Sequence, residues 1–232
     1  MLVTRPQPGA DETATALRNR GYHPILAPML SIQPLPGPPI DLSGYDGVAV
    51  TSGNGLRALA ARSSERHHPL HAVGRRTAEL AHDLGFTRVD HADGDVASLT
   101  ALLARSGAGR ILHVAGADIA GELTPPGVAV ERMTVYRALP ADAIPAAGQQ
   151  ALRDGQVAYV SFFSPRTAAC FVSLAEKAGL APWAGGWTAL CLSDAVARAA
   201  GRLGFGAMQI AAAPDAASLL ALLPAVKGKK NE

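Results

Sequence analysis

Two cysteines in 232 residues are too few to staple a small fold, so a disulfide scaffold is excluded. Cys170 and Cys191 each sit in an apolar stretch, which reads as buried free thiols. Aromatics are scarce at 5%, and none interleave with basic residues in the manner of single-strand nucleic-acid binders. Neither sign of charge dominates: 21 Lys and Arg stand against 19 Asp and Glu, too even a balance for a nucleic-acid coat. No apolar run approaches the ~18 residues of a membrane span, and the N-terminus carries no charged-then-apolar signal pattern. A cytoplasmic protein with neither nucleic acid nor membrane as partner is expected.

Several chemistries are missing as well. His67-His68-Pro69-Leu70-His71 is a histidine cluster broken by proline, with no common zinc spacing, so no metal is expected. No G-x-S-x-G elbow marks a nucleophile, and neither G-x-G-x-x-G nor G-x-x-x-x-G-K-[ST] marks a nucleotide cradle. Asp11/Glu12 and Asp93/Asp95 read as helix-start or loop acids rather than catalytic pairs.

What is present is core material and punctuation. Hydrophobic residues make up 48% and charged ones 17%, which excludes disorder and suggests one large domain or two small ones. Gly (24) and Pro (17) run high, so short elements joined by sharp turns are expected. Apolar strands alternate with amphipathic helices along the chain. Helices are expected over 11–20, 54–62, 75–84, 96–105, 165–178, 194–203 and 215–223. Strands fall at 2–4, 47–51, 71–73, 87–91, 110–114, 157–163, 187–192 and 208–211, with further extended segments at 23–35 and 128–139. Single helices between strands imply parallel sheets with helices on both faces.

The chain also resembles itself. Asp95-Val-Ala-Ser-Leu-Thr-Ala-Leu-Leu103 matches Asp215-Ala-Ala-Ser-Leu-Leu-Ala-Leu-Leu223 at seven of nine positions, and Leu84-Gly85-Phe86 recurs as Leu203-Gly204-Phe205. Two similar α/β lobes are therefore expected. The proline-rich stretch 34–39 marks a boundary, and the two extended segments can run side by side as a two-stranded linker. That arrangement makes 37–134 an insertion in a lobe built from 1–36 and 137–226, with 227–232 a charged tail. A cleft between the lobes would then meet the carboxyl ends of both sets of strands, where open α/β sheets take their ligands.

The informative residues lie where strand turns into helix: Thr51-Ser52-Gly53-Asn54-Gly55, Val73-Gly74-Arg75-Arg76-Thr77, Ala115-Gly116-Ala117, Phe163-Ser164-Pro165-Arg166-Thr167 and Leu192-Ser193-Asp194. Ser52, Ser164 and Ser193 suit helix N-caps. Free N–H groups in such first turns also bind carboxylates or phosphates. Several turns together, rimmed by Arg5, Arg57, Arg75, Arg76 and Arg166, point to a polyanionic ligand. Tyr136 stands on the second extended segment. Simple alternation puts it on one face with Val128, Val130, Arg132 and Thr134, and Met133 and Val135 on the other.

With these pieces assembled, the chain resembles the uroporphyrinogen-III synthases. The resemblance rests on Leu2-Val3-Thr4-Arg5-Pro6, the run 28–35, the turns at 51–55 and 73–77, Val135-Tyr136-Arg137, Phe163-Ser164-Pro165 and the Ser193 turn, in the right order over essentially the whole chain. It implies two doubly wound, flavodoxin-like lobes on a two-stranded linker. It further implies a cofactor-independent, dehydrating lyase that closes hydroxymethylbilane, a linear tetrapyrrole polycarboxylate, with inversion of ring D. Tyr136 matches the family's candidate acid. Thr51, Ser52, Asn54, Thr77, Ser164 and Ser193 would line the carboxylate sites, with Gly53 and Gly74 in the same turns and Arg5, Arg75 and Arg166 at the rims. A monomer supplied transiently by hydroxymethylbilane synthase is expected. A non-catalytic tetrapyrrole-binding module and a sugar-phosphate or nucleotide enzyme are the alternatives. Two departures stand out. Residues 116–123 are acidic and stop at Pro125-Pro126, where the family has a basic residue and a longer helix. Gly55 replaces an alanine or β-branched residue, which would weaken that helix start.

Overall fold

A computed structural model describes residues 1–119 and 121–225, so the charged tail at 227–232 lies outside the described residues. In chain order the elements are β1 (Leu2–Val3), α1 (Gly9–Asn19), β2 (Ile25–Leu26), β3 (Leu30–Pro34), β4 (Gly47–Val50), α2 (Gly53–Arg62), β5 (Leu70–Ala72), α3 (Arg75–Asp83), β6 (Val89–His91) and α4 (Val96–Arg105). They continue with β7 (Arg110–Gly116), β8 (Ala129–Pro140), α5 (Ala146–Arg153), β9 (Tyr159–Phe162), α6 (Pro165–Lys177), β10 (Thr188–Cys191), α7 (Asp194–Ala200), β11 (Ala207–Ile210) and α8 (Ala216–Ala221). The chain divides into two compact units. Unit 2 is continuous, Ile32–Ala138, and unit 1 joins Met1–Ser31 to the chain from Leu139 onward.

Unit 1 holds a five-stranded sheet in the order β2-β1-β9-β10-β11, with parallel pairing throughout. Renumbered within the unit, that is 2-1-3-4-5, the flavodoxin-like order. Unit 2 runs β6-β5-β4-β7-β8, with β3 added beyond β8, and its core pairings are again parallel. That order is 3-2-1-4-5, the dinucleotide-binding type. In strand order the two sheets are circular permutations of one another: β9, β10, β11, β1 and β2 take the places of β4, β5, β6, β7 and β8. The internal repeat follows from this. In both units Leu-Gly-Phe leads into an edge strand, and an Asp-capped helix, α4 or α8, leaves it.

Each sheet is packed on both faces. In unit 1, alternation along β9 sends Val160 and Phe162 to one cluster, where Phe205 packs edge to face on Phe162 and Trp187 and stacks on Phe171. Tyr159 and Phe163 go to the other, with Leu17 of α1 and Leu219 and Leu220 of α8. In unit 2, Val48, Val50, Leu112 and Val114 face α2 and α3, while Ala49 and Ile111 face Leu99 and Leu103 of α4. Burying such side chains contributes ~1.5–3 kcal/mol each for the larger aliphatics, so scarce aromatics cost the fold little.

Local signals account for most boundaries. Ser52 accepts a hydrogen bond from the Gly55 N–H, Ser164 from Thr167, Asp95 from Ser98 and Asp215 from Ser218, opening α2, α6, α4 and α8. Gly21 follows α1 at φ 80°, the left-handed stop that only glycine adopts freely. Ser193 occupies the cap position of α7 but makes no side-chain capping bond. The apolar pattern marks no helix between 139 and 157, yet α5 forms there. It opens at Pro145 without a side-chain cap, and its buried face is Gly148, Ala151 and Leu152, with a single large apolar residue and so almost no periodic signal.

The expected alternation along β8 fails at one place. Ala115 pairs with Thr134 but Gly116 pairs with Tyr136, so Val135 is an extra residue. Such a bulge re-aims the following side chain. Val128 and Val130 pack on the α4 face, whereas Tyr136 joins Met133 and Val135 on the α2–α3 face. The trimmed segment is also visible, since no helix forms among the described residues between β7 and β8.

Candidate functional site

In unit 2 the strand order reverses between β4 and β7, and ligands of open α/β sheets bind beyond the carboxyl ends of strands at such a point. Thr51 and Ser52 follow β4 there, and Gly116 ends β7. Tyr136 is brought to the same place by the bulge. Its Oη lies 3.0 Å from the Ser52 Oγ. A Cβ at Gly116 would sit 2.6 Å from the tyrosine Cζ, so the ring rests against a backbone that has no room for a side chain. The Ala117 N–H donates to the Tyr136 carbonyl (2.8 Å), and the Arg132 Nη2 donates to the carbonyls of Gly116 (2.9 Å) and Ala117 (2.7 Å). Arg132 also reaches Glu122 at 3.7 Å. The turn after β7 is thus tied down by a basic residue arriving from β8.

On the opposite face of the sheet, the Thr51 Oγ1 lies 3.2 Å from the His113 Nε2. His113 is 1% exposed, and its Nδ1 has no hydrogen-bond partner among the described residues. Burial first, and then the Arg132 cation, push its pKa below the ordinary histidine value, so the ring is neutral. Gly55 repays its poor helix propensity here. A Cβ would stand 2.8 Å from the Val114 carbonyl oxygen, so glycine lets α2 approach β7, which replaces the expected weakening with a packing requirement.

The helix N-termini differ in electrostatic character. No acidic residue lies in the first turn of α2, α3 or α6, leaving the positive ends of their dipoles uncompensated. Arg57 leans over the first turn of α2, with Nη1 3.2 Å from a Cβ built on Gly53. Arg75 and Arg166 are exposed in the first turns of α3 and α6. By contrast, Asp194 occupies the first turn of α7 and complements the helix that Ser193 opens. Gly74, Arg75 and Thr77 cluster at the start of α3, where Thr77 donates its N–H to the Gly74 carbonyl. No hydrogen bond or ion pair among the described residues links them to Tyr136. Asn54 is half-buried in the first turn of α2.

Unit 1 repeats the placement at its own reversal point, between β1 and β9. Arg5 follows β1, its guanidinium 4.4 Å over the Phe163 ring and donating to the Thr13 Oγ1 at 3.2 Å. A Cβ at Gly9 would collide with the Arg5 guanidinium. Ser164 follows β9, its hydroxyl 2.8 Å from that of the buried Thr167. Among the described residues no three His, Cys, Asp or Glu side chains gather to hold a metal ion.

The family model for uroporphyrinogen-III synthase HemD matches residues 11–221, nearly the whole chain. The chain belongs to that family. A putative uroporphyrinogen-III synthase of Methanocaldococcus jannaschii is 29% identical over 85 residues, a match spanning 34% of this chain and 35% of that protein. The crystal structure of uroporphyrinogen-III synthetase from Helicobacter pylori 26695 superposes with a TM-score of 0.64 at 17% identity, covering 95% of this chain and 96% of that one; the likeness is one of fold.

For a uroporphyrinogen-III synthase family member, the residues legible in sequence were those in strand-to-helix turns. Two residues escaped sequence reasoning. His113 interrupts the apolar run Ile111-Leu112-His113-Val114, and that interruption was the available signal. Arg132 gave none, because its role depends on the register that pairs it with His113.

Proposed function

We propose that this chain catalyses the closure of hydroxymethylbilane to uroporphyrinogen III, inverting ring D and releasing water, with no cofactor. The observation that carries the reading is the Tyr136 phenol, held 3.0 Å from the Ser52 hydroxyl at the reversal point of the unit 2 sheet. Family membership supplies the substrate class. An electron-rich pyrrole ionises its own hydroxymethyl group, so the protein need only put a proton on the leaving oxygen.

The Ser52 Oγ accepts from the Gly55 N–H, which leaves the serine proton available for the Tyr136 Oη. With the serine proton given to the Tyr136 Oη, the phenol proton faces away from serine and serves the leaving hydroxyl. As the carbon–oxygen bond breaks, Tyr136 gives up that proton and water departs, leaving an azafulvenium cation. Its attack on the substituted carbon of ring D gives a spiro intermediate, which fragments and recloses the other way round. The proton lost on final rearomatisation replaces the one that Tyr136 donated.

Conformational control is the larger task, because uncatalysed closure gives the uninverted isomer. The acid-free N-termini of α2, α3 and α6, with Thr51, Asn54, Thr77, Ser164 and the nearby arginines, suit substrate carboxylates. Arg5 and Ser193 are contacts of the same kind within unit 1, and Gly53 and Gly74 contribute backbone N–H groups within unit 2. Because the free bilane closes to the wrong product, transient delivery by hydroxymethylbilane synthase to a cytoplasmic monomer fits this reading. No helix among the described residues is long and apolar enough to cross a membrane. The test is incubation of purified protein with enzymatically generated hydroxymethylbilane, followed by separation of the isomers. Type III product is expected; type I alone, as in buffer, overturns the proposal.

A further inference from the structure

Thr51 is read above as a carboxylate contact, but a threonine hydroxyl attracts an anion only if its proton faces that anion. With its proton turned inward it presents lone pairs, which repel a carboxylate. The proton's direction is set by whatever else bonds to Oγ1, and that partner is the His113 Nε2 at 3.2 Å. The two residues lie on one face of the sheet: Ala49 pairs directly with His113, and Thr51 lies two residues beyond Ala49.

The ring of His113 is neutral and has one proton for two nitrogens. Nδ1 is buried and has no partner among the described residues. A proton on Nδ1 would strand an N–H donor inside the protein, whereas a proton on Nε2 strands only a lone pair. Orphaned buried N–H groups are the rarer of the two in folded proteins. The Nε2–H tautomer therefore donates to the Thr51 Oγ1, and the threonine proton must point away from the ring. We infer that His113 is a positioning residue that fixes the Thr51 hydroxyl as an outward-facing donor for a substrate carboxylate.

The inference rests on the reading of Thr51 as a substrate contact, and the experiment separates the two. Steady-state KM and kcat are measured for Thr51→Val, His113→Phe, His113→Gln and the double variant Thr51→Val/His113→Phe. Loss of one hydrogen bond to substrate corresponds to about a two- to tenfold rise in KM. That rise is expected for Thr51→Val and His113→Phe, with kcat held within about twofold. Glutamine can place its amide N–H near the Nε2 position, so His113→Gln should restore KM. The double variant should be no worse than Thr51→Val alone.

A raised KM in Thr51→Val with none in His113→Phe overturns the positioning role while Thr51 remains a contact. An unchanged KM in both removes Thr51 from the substrate site and the inference with it. Nitrogen-15 spectra of the unmutated protein give a readout that does not depend on any variant folding. A proton on the Nε2 of His113 supports the inference, and a proton on Nδ1 overturns it.

Discussion

Single atoms decide whether Tyr136 can act. Its hydroxyl is placed from one side by the Ser52 Oγ and from the other by the missing side chain of Gly116. Tyr136→Phe should slow formation of the type III isomer by about tenfold or more, the low side of general-acid effects, as measured by product separation over time. Gly116→Ala puts a methyl 2.6 Å from the ring carbon that bears the hydroxyl, so the ring must move. A comparable loss of rate is expected, with a stability cost of about 1–3 kcal/mol for the overpacking. The double variant should be no slower than Tyr136→Phe, because both changes act on one group. Additive losses would separate Gly116 from the phenol. Tyr136 was legible from its motif and its isolation among few aromatics. Its orientation was not, because alternation assumes an unbroken ladder and one extra residue at Val135 reverses the parity.

At the scale of elements, α2 carries the most information. Its cap, its close approach to β7 and its acid-free N-terminus all come from Ser52-Gly53-Asn54-Gly55. Gly55→Ala would improve helix propensity by roughly 1 kcal/mol, yet its Cβ would meet the Val114 carbonyl at 2.8 Å. A backbone oxygen within a sheet has little room to yield, so net destabilisation is expected by denaturant titration. A stabilised variant would show that α2 can shift without penalty. For the N-termini of α3 and α6, replacing Arg75 or Arg166 with Gln should chiefly raise KM, by about two- to tenfold, leaving kcat near its original value. Unchanged KM in both would remove these arginines from carboxylate binding. These turns were legible because capping and first-turn charge are local properties of sequence. α5 was not, because its buried face holds one large apolar residue, Leu152, beside Gly148 and Ala151, and Gly148 gains its value only from Leu2 and Ala27 packing closely on it.

For the molecule as a whole, two buried histidines bear on acid stability. Burial is the main cause that lowers the pKa of both His71 and His113, and neither Nδ1 has a hydrogen-bond partner among the described residues. The unfolded chain takes up protons at these positions as pH falls below the ordinary histidine value of ~6.5, while the folded chain resists them. Stability should therefore decline as pH falls below that value and level off once the lower folded values are passed. Tm measured between about pH 5 and 8 should show the slope, and His71→Gln with His113→Gln should flatten it. A slope unchanged by both substitutions would assign the acid sensitivity to other groups. The sequence alone determined the elements apart from α5, the parallel character of the sheets, the repeat and the family, because capping, alternation and turn chemistry are written within a few residues of each other. Only the tertiary structure decided the circularly permuted strand orders, the bulge that turns Tyr136 toward Ser52, and the pairing of His113 with Thr51. These depend on which strands become neighbours and in what register, and residues as far apart as Thr51 and His113 hold no local record of that choice.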